Sequence, residues 1–276
     1  MIAWTGAFYT ELKNVRLESE DPMPAPSAPV RTRPAPSVEP AATPAQSITI
    51  TANGPYVVHG NVELTEQAIT PVGGHREYRT VRTFPSQDVY ALCRCGRTST
   101  PPYCDGTHVS ISFDGEETAS REPFDERADV YPGPGVTLLD DNRCAFARFC
   151  HREDGDVWTL TELSYDERLK HEAVKASSDC PAGRLVHVDT EEGTVYEPRL
   201  EPSIALLEDP EEGVSGPLYV RGGIPLVSAD GSVYELRNRY ALCRCGASRN
   251  KPFCDAMHVT IGYRDGLTDP DAEEEK

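Results

Sequence analysis

The chain has 276 residues, 38% of them hydrophobic, and a formal net charge of −18. This length fits one large domain or two to three small ones, and the apolar share is enough to form a core. Such a negative charge repels phosphate backbones and anionic lipids, so we expect neither nucleic acid nor membrane as a partner. The first twenty residues lack the pattern of a targeting signal, and no stretch approaches the roughly 18 apolar residues of a membrane span, so we expect a cytoplasmic protein.

In chain order, residues 1–46 come first, and their Pro- and Ala-rich composition predicts an extended, disordered segment. Two similar β-rich segments, residues 47–130 and 202–268, flank a different middle segment, residues 131–201. Residues 269–276 form an acidic tail. We therefore expect an α+β fold in which two copies of a small β domain enclose a small α+β insert.

The clearest repeat is the sequence YALCRCG, which occurs at residues 90–96 and again at 240–246. Short β-rich runs with Gly and Pro turns precede each copy. The alternating residues after each cysteine block, 109–113 and 259–263, predict one more strand per copy.

The middle segment has its own pattern of elements. Residues 135–139 predict a strand, and Ser164 followed by Glu167 predicts the N-terminus of a helix through a capping box. Residues 184–189 and 194–200 predict a closing hairpin.

The chain has nine cysteines. An odd number of cysteines without a signal peptide favours metal or redox chemistry over a disulfide framework. They fall into three groups of three. The groups are Cys93, Cys95 and Cys104; Cys144, Cys150 and Cys180; and Cys243, Cys245 and Cys254.

The first and third groups each end in a histidine and share the spacing C-x-C-x8-C-x3-H. C-x-C places two thiolates on one short loop, close enough to share one metal ion. C-x3-H fits one helical turn, and Asp105 and Asp255 would then lie near a helix N-terminus, where a carboxylate accepts free N–H groups. The candidate ligands are Cys93, Cys95, Cys104 and His108 in the first copy, and Cys243, Cys245, Cys254 and His258 in the second.

Two questions about these blocks stay open at this point. Three cysteines and one histidine also suit a single structural zinc ion, although zinc fingers usually separate their first two cysteines by two to four residues. Arg94 and Arg244 lie between the paired thiolates, where they either neutralise the charge of a metal cluster or extend into solvent.

Both blocks resemble the CDGSH-type (NEET) iron–sulfur proteins, whose pattern is C-x-C-x2-(S/T)-x3-P-x-C-D-G-(S/A/T)-H. The first copy, CRCGRTSTPPYCDGTH, fits every position, whereas the second has Ala256 and Met257 in place of the glycine and the small polar residue. The resemblance implies a 2Fe–2S cluster in each copy, with the first two cysteines on one iron and the last cysteine and the histidine on the other. It also implies that acid competes for the histidine ligands. Because such domains pair about a two-fold axis, two copies in one chain imply an intramolecular pseudo-dimer that acts as a monomer.

The central cysteines resemble those of single-cluster ferredoxins in which the second cysteine of C-x2-C-x2-C is replaced, here by Ala147. Cys144, Cys150 and Cys180 would then hold a 3Fe–4S cluster, or a 4Fe–4S cluster whose fourth iron takes another ligand. His151 follows Cys150 directly, but neighbouring side chains on a helix point about 100° apart, which favours a surface histidine. The alternative is three unligated core cysteines.

No nucleophile elbow, phosphate-binding loop or paired-carboxylate signature is present, so we do not expect an enzyme. The favoured function is a one-electron carrier with three clusters. Its alternatives are storage, transfer or redox and pH sensing by labile histidine-bound clusters, and structural zinc modules. The acidic surface predicts a redox partner protein, or an apo iron–sulfur acceptor, with a basic docking patch.

Overall fold

The computed structural model describes residues 46–267, so the predicted N-terminal segment, up to residue 45, and the acidic tail lie outside the described residues. Strands predominate and the helices are short, in agreement with the predicted mixture of α and β elements. Within the described range, no helix has both the length and the apolar character needed to cross a membrane.

The first β-rich segment forms five strands and one helical turn. In the first two strands buried and less buried side chains alternate, as expected when one face of a sheet covers a core. The elements are β1 (Ser47–Ile50), β2 (Tyr56–His59), β3 (Glu63–Val72), β4 (His75–Thr83), β5 (Val89–Leu92) and α1 (Thr107–Ser110).

The middle segment, together with the residues just before it, forms a separate antiparallel sheet with two helices packed against it. The elements are α2 (Phe124–Arg127), β6 (Asp129–Tyr131), β7 (Val136–Asp140), β8 (His151–Arg152), β9 (Gly155–Asp156), α3 (Val157–Glu162), α4 (Glu167–Ser178), β10 (Leu185–Asp189) and β11 (Val195–Tyr196). The order in the sheet is β11-β10-β7-β6. This confirms the predicted strand at 135–139 and the hairpin that closes the segment. The likeness of this insert to a ferredoxin stays a prediction.

The predicted helix start at Ser164 is wrong. Asp166 caps α4 instead, because its carboxylate accepts two backbone N–H groups of the first turn, at 2.9 and 3.2 Å. The Ser164 hydroxyl accepts hydrogen bonds from the backbone N–H groups of Gly135 and Val136 and is therefore used to fix the loop before β7.

The second β-rich segment repeats the first in shortened form. Its elements are β12 (Ser203–Asp209), β13 (Val214–Arg221), β14 (Leu226–Val227), β15 (Arg239–Leu242) and α5 (Met257–Thr260). The strands predicted at 109–113 and 259–263 are wrong, because each run includes the end of a helical turn. Hydrogen bonds fold these residues back on that turn, for example from the Phe113 N–H to the His108 carbonyl, which leaves no ladder for a neighbouring strand.

The two β-rich segments exchange strands within one chain. β1 pairs with β2 in the same register as β12 with β13, with Ile48 opposite Val58 and Ile204 opposite Val220. The next strand of each segment then joins the other segment's sheet: β14 lies parallel to β1, and β3 lies parallel to β12. The sheet orders are therefore β14-β1-β2-β5 and β15-β13-β12-β3-β4.

Both sheets share one hydrophobic core. Its buried members come in nearly equal numbers from the two segments, so neither segment buries its apolar face without the other. The core includes Ile48, Ile50, Tyr56, Val58, Leu64, Tyr90 and Leu92 from the first segment and Ile204, Leu206, Leu218, Val220, Leu226, Tyr240 and Leu242 from the second.

The two cysteine loops also touch each other. Gly96 follows Cys95 with a left-handed φ of 71°, and a Cβ placed on it would lie 2.5 Å from the Cys245 carbonyl oxygen. Gly246 has the reciprocal relation to the Cys95 carbonyl oxygen. Only glycine allows this approach, so the repeated glycine of YALCRCG has a tertiary role.

We predict that Gly96→Ala destabilises the fold by about 2–5 kcal/mol, since it adds a backbone clash to the left-handed φ. Urea unfolding of the metal-loaded protein measures the loss. Gly106→Ala is the matched control: its φ is 87°, but no atom lies within 4 Å of the added Cβ, so about 1 kcal/mol of backbone strain is expected. Equal losses in the two variants would show that contact between the loops is unimportant.

Candidate metal centres

The strand before each cysteine loop anchors that loop. At the end of β5, the Cys93 N–H donates to the Pro102 carbonyl at 2.9 Å, and the Cys104 N–H donates to the Ala91 carbonyl at 2.9 Å. The second copy repeats both hydrogen bonds, at 2.8 and 2.9 Å. The backbone thus folds back on itself and fixes the first and third cysteines side by side.

Within each loop the four predicted ligands form two close pairs. In the first copy, Cys93 Sγ lies 3.7 Å from Cys95 Sγ, and Cys104 Sγ lies 3.3 Å from His108 Nδ1. The corresponding distances in the second copy are 3.7 and 3.4 Å. Two ligands that bind one tetrahedral metal ion at about 2.0–2.3 Å lie roughly 3.3–3.8 Å apart, so each pair suits one metal ion.

In the first copy the two pairs lie close enough for their thiols to affect one another. Burial raises the pKa of the Cys95 thiol to about 11, and the nearby thiols of Cys93 and Cys104 add to the rise. Since a metal ion binds the thiolate, loading this site must release protons.

The C-x3-H spacing does not form the single helical turn that it predicts. Cys104 precedes α1, and Gly106 turns the chain with a left-handed φ of 87°. The Asp105 carboxylate then accepts the N–H groups of Ser99 at 2.7 Å and Thr107 at 2.9 Å. These bonds lower the pKa of Asp105 and place it, as predicted, at the helix N-terminus.

The second copy keeps this turn despite its altered sequence. Ala256 takes the place of the glycine and has a left-handed φ of 68°. Asp255 again accepts two backbone N–H groups, at 2.8 and 3.2 Å. A left-handed alanine costs about 1 kcal/mol, so the surroundings hold this loop in a shape that its own sequence disfavours.

The two centres differ in burial. Cys104 and His108 are half-buried, whereas Cys254 is 3% and His258 4% exposed. Burial, with a smaller contribution from the Arg244 cation, lowers the pKa of His258 to about 4. That ring is therefore neutral near pH 7 and free of a competing proton.

Neither arginine of the repeated loop extends into solvent, so that alternative is wrong: Arg94 is 2% and Arg244 3% exposed. Arg244 forms ion pairs with Glu208 and Asp265 and donates to the Gly216 carbonyl at 2.7 Å.

Arg94 is buried in a different way. It donates to the Gly115 carbonyl at 2.5 Å and lies over the rings of Tyr56 and Phe113, 5.5 and 5.8 Å from their centres. Within residues 46–267 it has no carboxylate partner. Among the described residues, the buried cation of the first loop therefore has no carboxylate partner, whereas that of the second has two.

The thiols of the three central cysteines are near enough to affect one another, although two lie on the loop after β7 and one follows α4. Burial raises the pKa of the Cys150 thiol to about 12, and the thiols of Cys180 and Cys144 add to the rise. Burial likewise raises the pKa of Cys180, again with a contribution from Cys144.

Backbone N–H groups point at these sulfurs, a feature that sequence reasoning missed. The Phe146 N–H donates to Cys144 Sγ at 3.4 Å, helped by a left-handed φ of 57° at Phe146. The Ala182 N–H donates to Cys180. In the second loop the Ala256 N–H has the same relation to Cys254 Sγ, at 3.5 Å. In each case the donor is two residues after the cysteine.

The other positions of the central motif do not join the thiols. His151 is exposed on β8, in agreement with a surface position. Ala147, which stands where the ferredoxin pattern has a cysteine, is buried in a hydrophobic cluster with Phe149, Ala205 and Tyr219.

The insert packs on the second β-rich segment. Buried Arg239 of β15 donates to the Cys180 carbonyl at 2.9 Å, and Arg148 forms two bonds with Asp209 at 2.8 and 2.9 Å. The Cys144 thiol is close enough to add to the pKa rise that burial imposes on Cys254. No sequence signal marks Arg239 as this connection.

The arginine pair gives a matched prediction. Arg244→Met should lower the free energy of unfolding by about 3–5 kcal/mol, because Glu208 and Asp265 stay buried without a cation. Arg94→Met leaves no described carboxylate without its cation. It should lower the free energy of unfolding by only about 1–3 kcal/mol, because it loses hydrogen bonds. Urea unfolding at pH 7 compares the two variants.

The two variants should respond differently as the pH falls. Burial already raises the pKa of Glu208 to about 7, so the folded state favours its protonated form. In Arg244→Met, protonation removes the negative charge that has lost its cation. Arg244→Met should regain part of its loss by about pH 5, and Arg94→Met should not. Parallel pH profiles would contradict the assigned charge balance.

Comparison with known proteins agrees with this geometry. The family model described as "Iron-binding zinc finger CDGSH type" matches residues 53–109 and 215–259. No curated protein and no solved structure is similar enough to this chain to count as a match. The family description names iron as the metal, which favours iron over zinc. Two segments of the chain, one on each side of the central insert, therefore match the model of a CDGSH-type iron-binding family.

Proposed function

We propose that the chain is a one-electron carrier with a 2Fe–2S cluster in each CDGSH-type segment and a third cluster, 3Fe–4S or 4Fe–4S, in the insert. The observation that carries the proposal is the division of each ligand set into two close pairs. A single zinc ion would require equal spacing among all four ligands, whereas two pairs suit two metal ions. The ligands of the first 2Fe–2S cluster would be Cys93, Cys95, Cys104 and His108. Those of the second would be Cys243, Cys245, Cys254 and His258.

The third cluster is supported by the arrangement of the central thiols. N–H groups directed at sulfur stabilise the thiolate, and unligated core cysteines have no need of them. Cys144 and Cys180 each accept a hydrogen bond from such an N–H group, as Cys254 does. With Ala147 and exposed His151 excluded, three protein ligands remain, namely Cys144, Cys150 and Cys180.

Bound clusters would supply reversible one-electron chemistry, and the protein would set charge and access. Histidine in place of a thiolate makes each CDGSH-type site less negative, which raises its reduction potential. Arg94 keeps a positive charge buried in the first loop, whereas Glu208 and Asp265 offset the charge of Arg244 in the second. The central cysteines lie next to the second site, so a relay would run from the insert through the second site to the first.

A second candidate function is cluster storage, transfer or sensing. The half-buried Cys104–His108 pair favours it, because a ligand that solvent reaches is open to protons and to an acceptor's thiols. For either function we propose a partner with a basic patch, either a redox protein or an apo iron–sulfur acceptor, that the net charge of −18 attracts.

Metal and sulfide analysis after anaerobic purification tests the proposal. Two 2Fe–2S centres and one 3Fe–4S centre give roughly seven irons per chain. An EPR signal in the oxidised sample would come from the 3Fe–4S centre, because oxidised 2Fe–2S is silent. Roughly four irons and a silent oxidised sample would remove the third cluster, and zinc in a colourless protein would overturn the proposal.

Serine variants assign the third cluster. Cys150→Ser should remove roughly three irons and leave the 2Fe–2S spectrum intact, because the insert has its own core. Cys95→Ser is the matched control and should remove roughly two irons. Unchanged iron in Cys150→Ser, with native circular dichroism, would mean that the central cysteines bind no cluster.

Reversible reduction separates the two candidate functions. An electron carrier should pass through several dithionite–air cycles without loss of visible absorbance. A cluster donor should lose its clusters to an apo-ferredoxin at a rate that rises as the pH falls, because protons compete for the His108 ring.

A further inference from the structure

His187 is a buried histidine of the insert that none of the candidate metal sites uses. It lies on β10, opposite Leu138 of β7 and Tyr196 of β11, and is 0% exposed. Its ring joins the sheet to both helices. Nε2 lies 2.8 Å from the Thr161 hydroxyl of α3, and Nδ1 lies 2.8 Å from the Ser177 hydroxyl of α4. One titratable ring therefore connects three elements of the insert.

The hydrogen bonds around this ring require one more proton than a neutral histidine supplies. The Thr161 hydroxyl donates to the Val157 carbonyl at 2.6 Å. The Ser177 hydroxyl donates to the Val174 carbonyl at 2.9 Å. Each hydroxyl has a single proton, so both can only accept from the ring, and both ring nitrogens must then donate, as only the charged imidazolium does. A neutral ring requires one hydroxyl to turn away from its carbonyl.

Burial opposes the charged form of His187. It lowers the pKa of the ring to about 4, against an ordinary value of about 6.5. On α3 and α4 the charged side chains are exposed or half-buried. On the neighbouring strands, Tyr196 contacts Asp189, and Asp140 pairs with Arg184. In the folded insert His187 is therefore neutral near pH 7, and a ring in solvent binds a proton more readily.

Ser177 connects this ring to a cysteine of the third candidate centre. Its carbonyl accepts the Cys180 N–H at 3.2 Å and the Arg239 guanidinium at 2.9 Å, while its hydroxyl contacts His187. α4 ends at Ser178, so these contacts fix the turn that leads from the helix to Cys180. Arg239 is itself a cation and does not favour a second positive charge on the ring. A change at His187 thus reaches Cys180 through a single residue.

We propose that His187 is a positioning residue for Cys180, and that acid releases Cys180 because the proton binds more readily to a ring that has left its buried place. The pKa of the ring is about 4 in the folded insert and about 6.5 in the open one. The stability that His187 contributes is therefore complete above about pH 6.5 and is lost as the pH falls towards 4. The loss of metal that would follow rests on the proposed third cluster, whereas the contact between the ring and Ser177 does not.

Trp158 provides a measurement that is specific to the insert. It packs against the hydrophobic cluster that contains Leu138, Leu185 and Cys180. The chain has one other tryptophan, Trp4. In the full chain with Trp4→Phe, urea unfolding followed by Trp158 fluorescence therefore measures the stability of the insert at each pH. Iron analysis of the same samples gives the metal content.

Between pH 7 and pH 5, we expect the unfolding equilibrium constant of the insert to rise about twentyfold more with His187 than with His187→Gln. Glutamine keeps a hydrogen-bonding amide but does not titrate. His171→Gln is the matched control, because His171 is exposed on α4 and its replacement should leave the pH profile unchanged. Ser177→Ala keeps the buried ring and hence the pH profile, but it cuts the connection to Cys180, so the third centre should lose iron at pH 7.

Equal pH responses with and without His187 would overturn the proposal, as would undiminished iron in folded Ser177→Ala protein at pH 7. If His187→Gln does not fold, deuterium exchange at the histidine C2 hydrogens of the unsubstituted chain decides. Its pH dependence, read by mass spectrometry, gives the pKa of each ring, and a His187 pKa at or above the ordinary value would contradict the proposal. An insert without iron would refute the third cluster, and the Trp158 profiles would still test His187.

Discussion

The contact between the two cysteine loops is the constraint on which the rest of the structure depends. Gly96 and Gly246 each leave room for the carbonyl oxygen of the other loop's second cysteine, so neither loop takes its shape alone. Strand exchange reinforces this contact, because β3 and β14 each complete the sheet of the opposite segment. Since both segments contribute to one core, the two metal sites are placed by the same cooperative unit.

A single chain that carries two copies of a segment can give its two sites different surroundings. In a dimer of identical chains the two sites have identical surroundings. Here the ligands are the same, but their neighbours differ: Arg244 has two carboxylate partners and Arg94 has aromatic rings. The two sites therefore have the same types of ligand but differ in their exposure to solvent and in the charge around them.

The insert adds to this asymmetry because it packs beside the second cysteine loop, although it also contacts Tyr78 of the first segment. Arg239 and Arg148 tie it to the second segment through buried polar contacts, which are costly to break once desolvated. This docking covers the second site and places Cys144 near Cys254. It also explains why the first site keeps its half-buried Cys104 and His108, and hence why solvent reaches one centre and not the other.

The sequence by itself determined what depends on local spacing: the two sets of four candidate ligands, the strand at 135–139, the closing hairpin and the capping role of Asp105 and Asp255. Only the tertiary structure decided the exchange of β3 and β14, the burial of Arg94 and Arg244, the cap at Asp166 and the failure of the strands at 109–113 and 259–263. Turn and ligand geometry are fixed by residues within a few positions of each other. The strands that β3 and β14 join are more than a hundred positions away in the sequence, and the hydrogen-bond partners of Arg244 are 21 to 37 positions away. No local pattern encodes which of these residues meet.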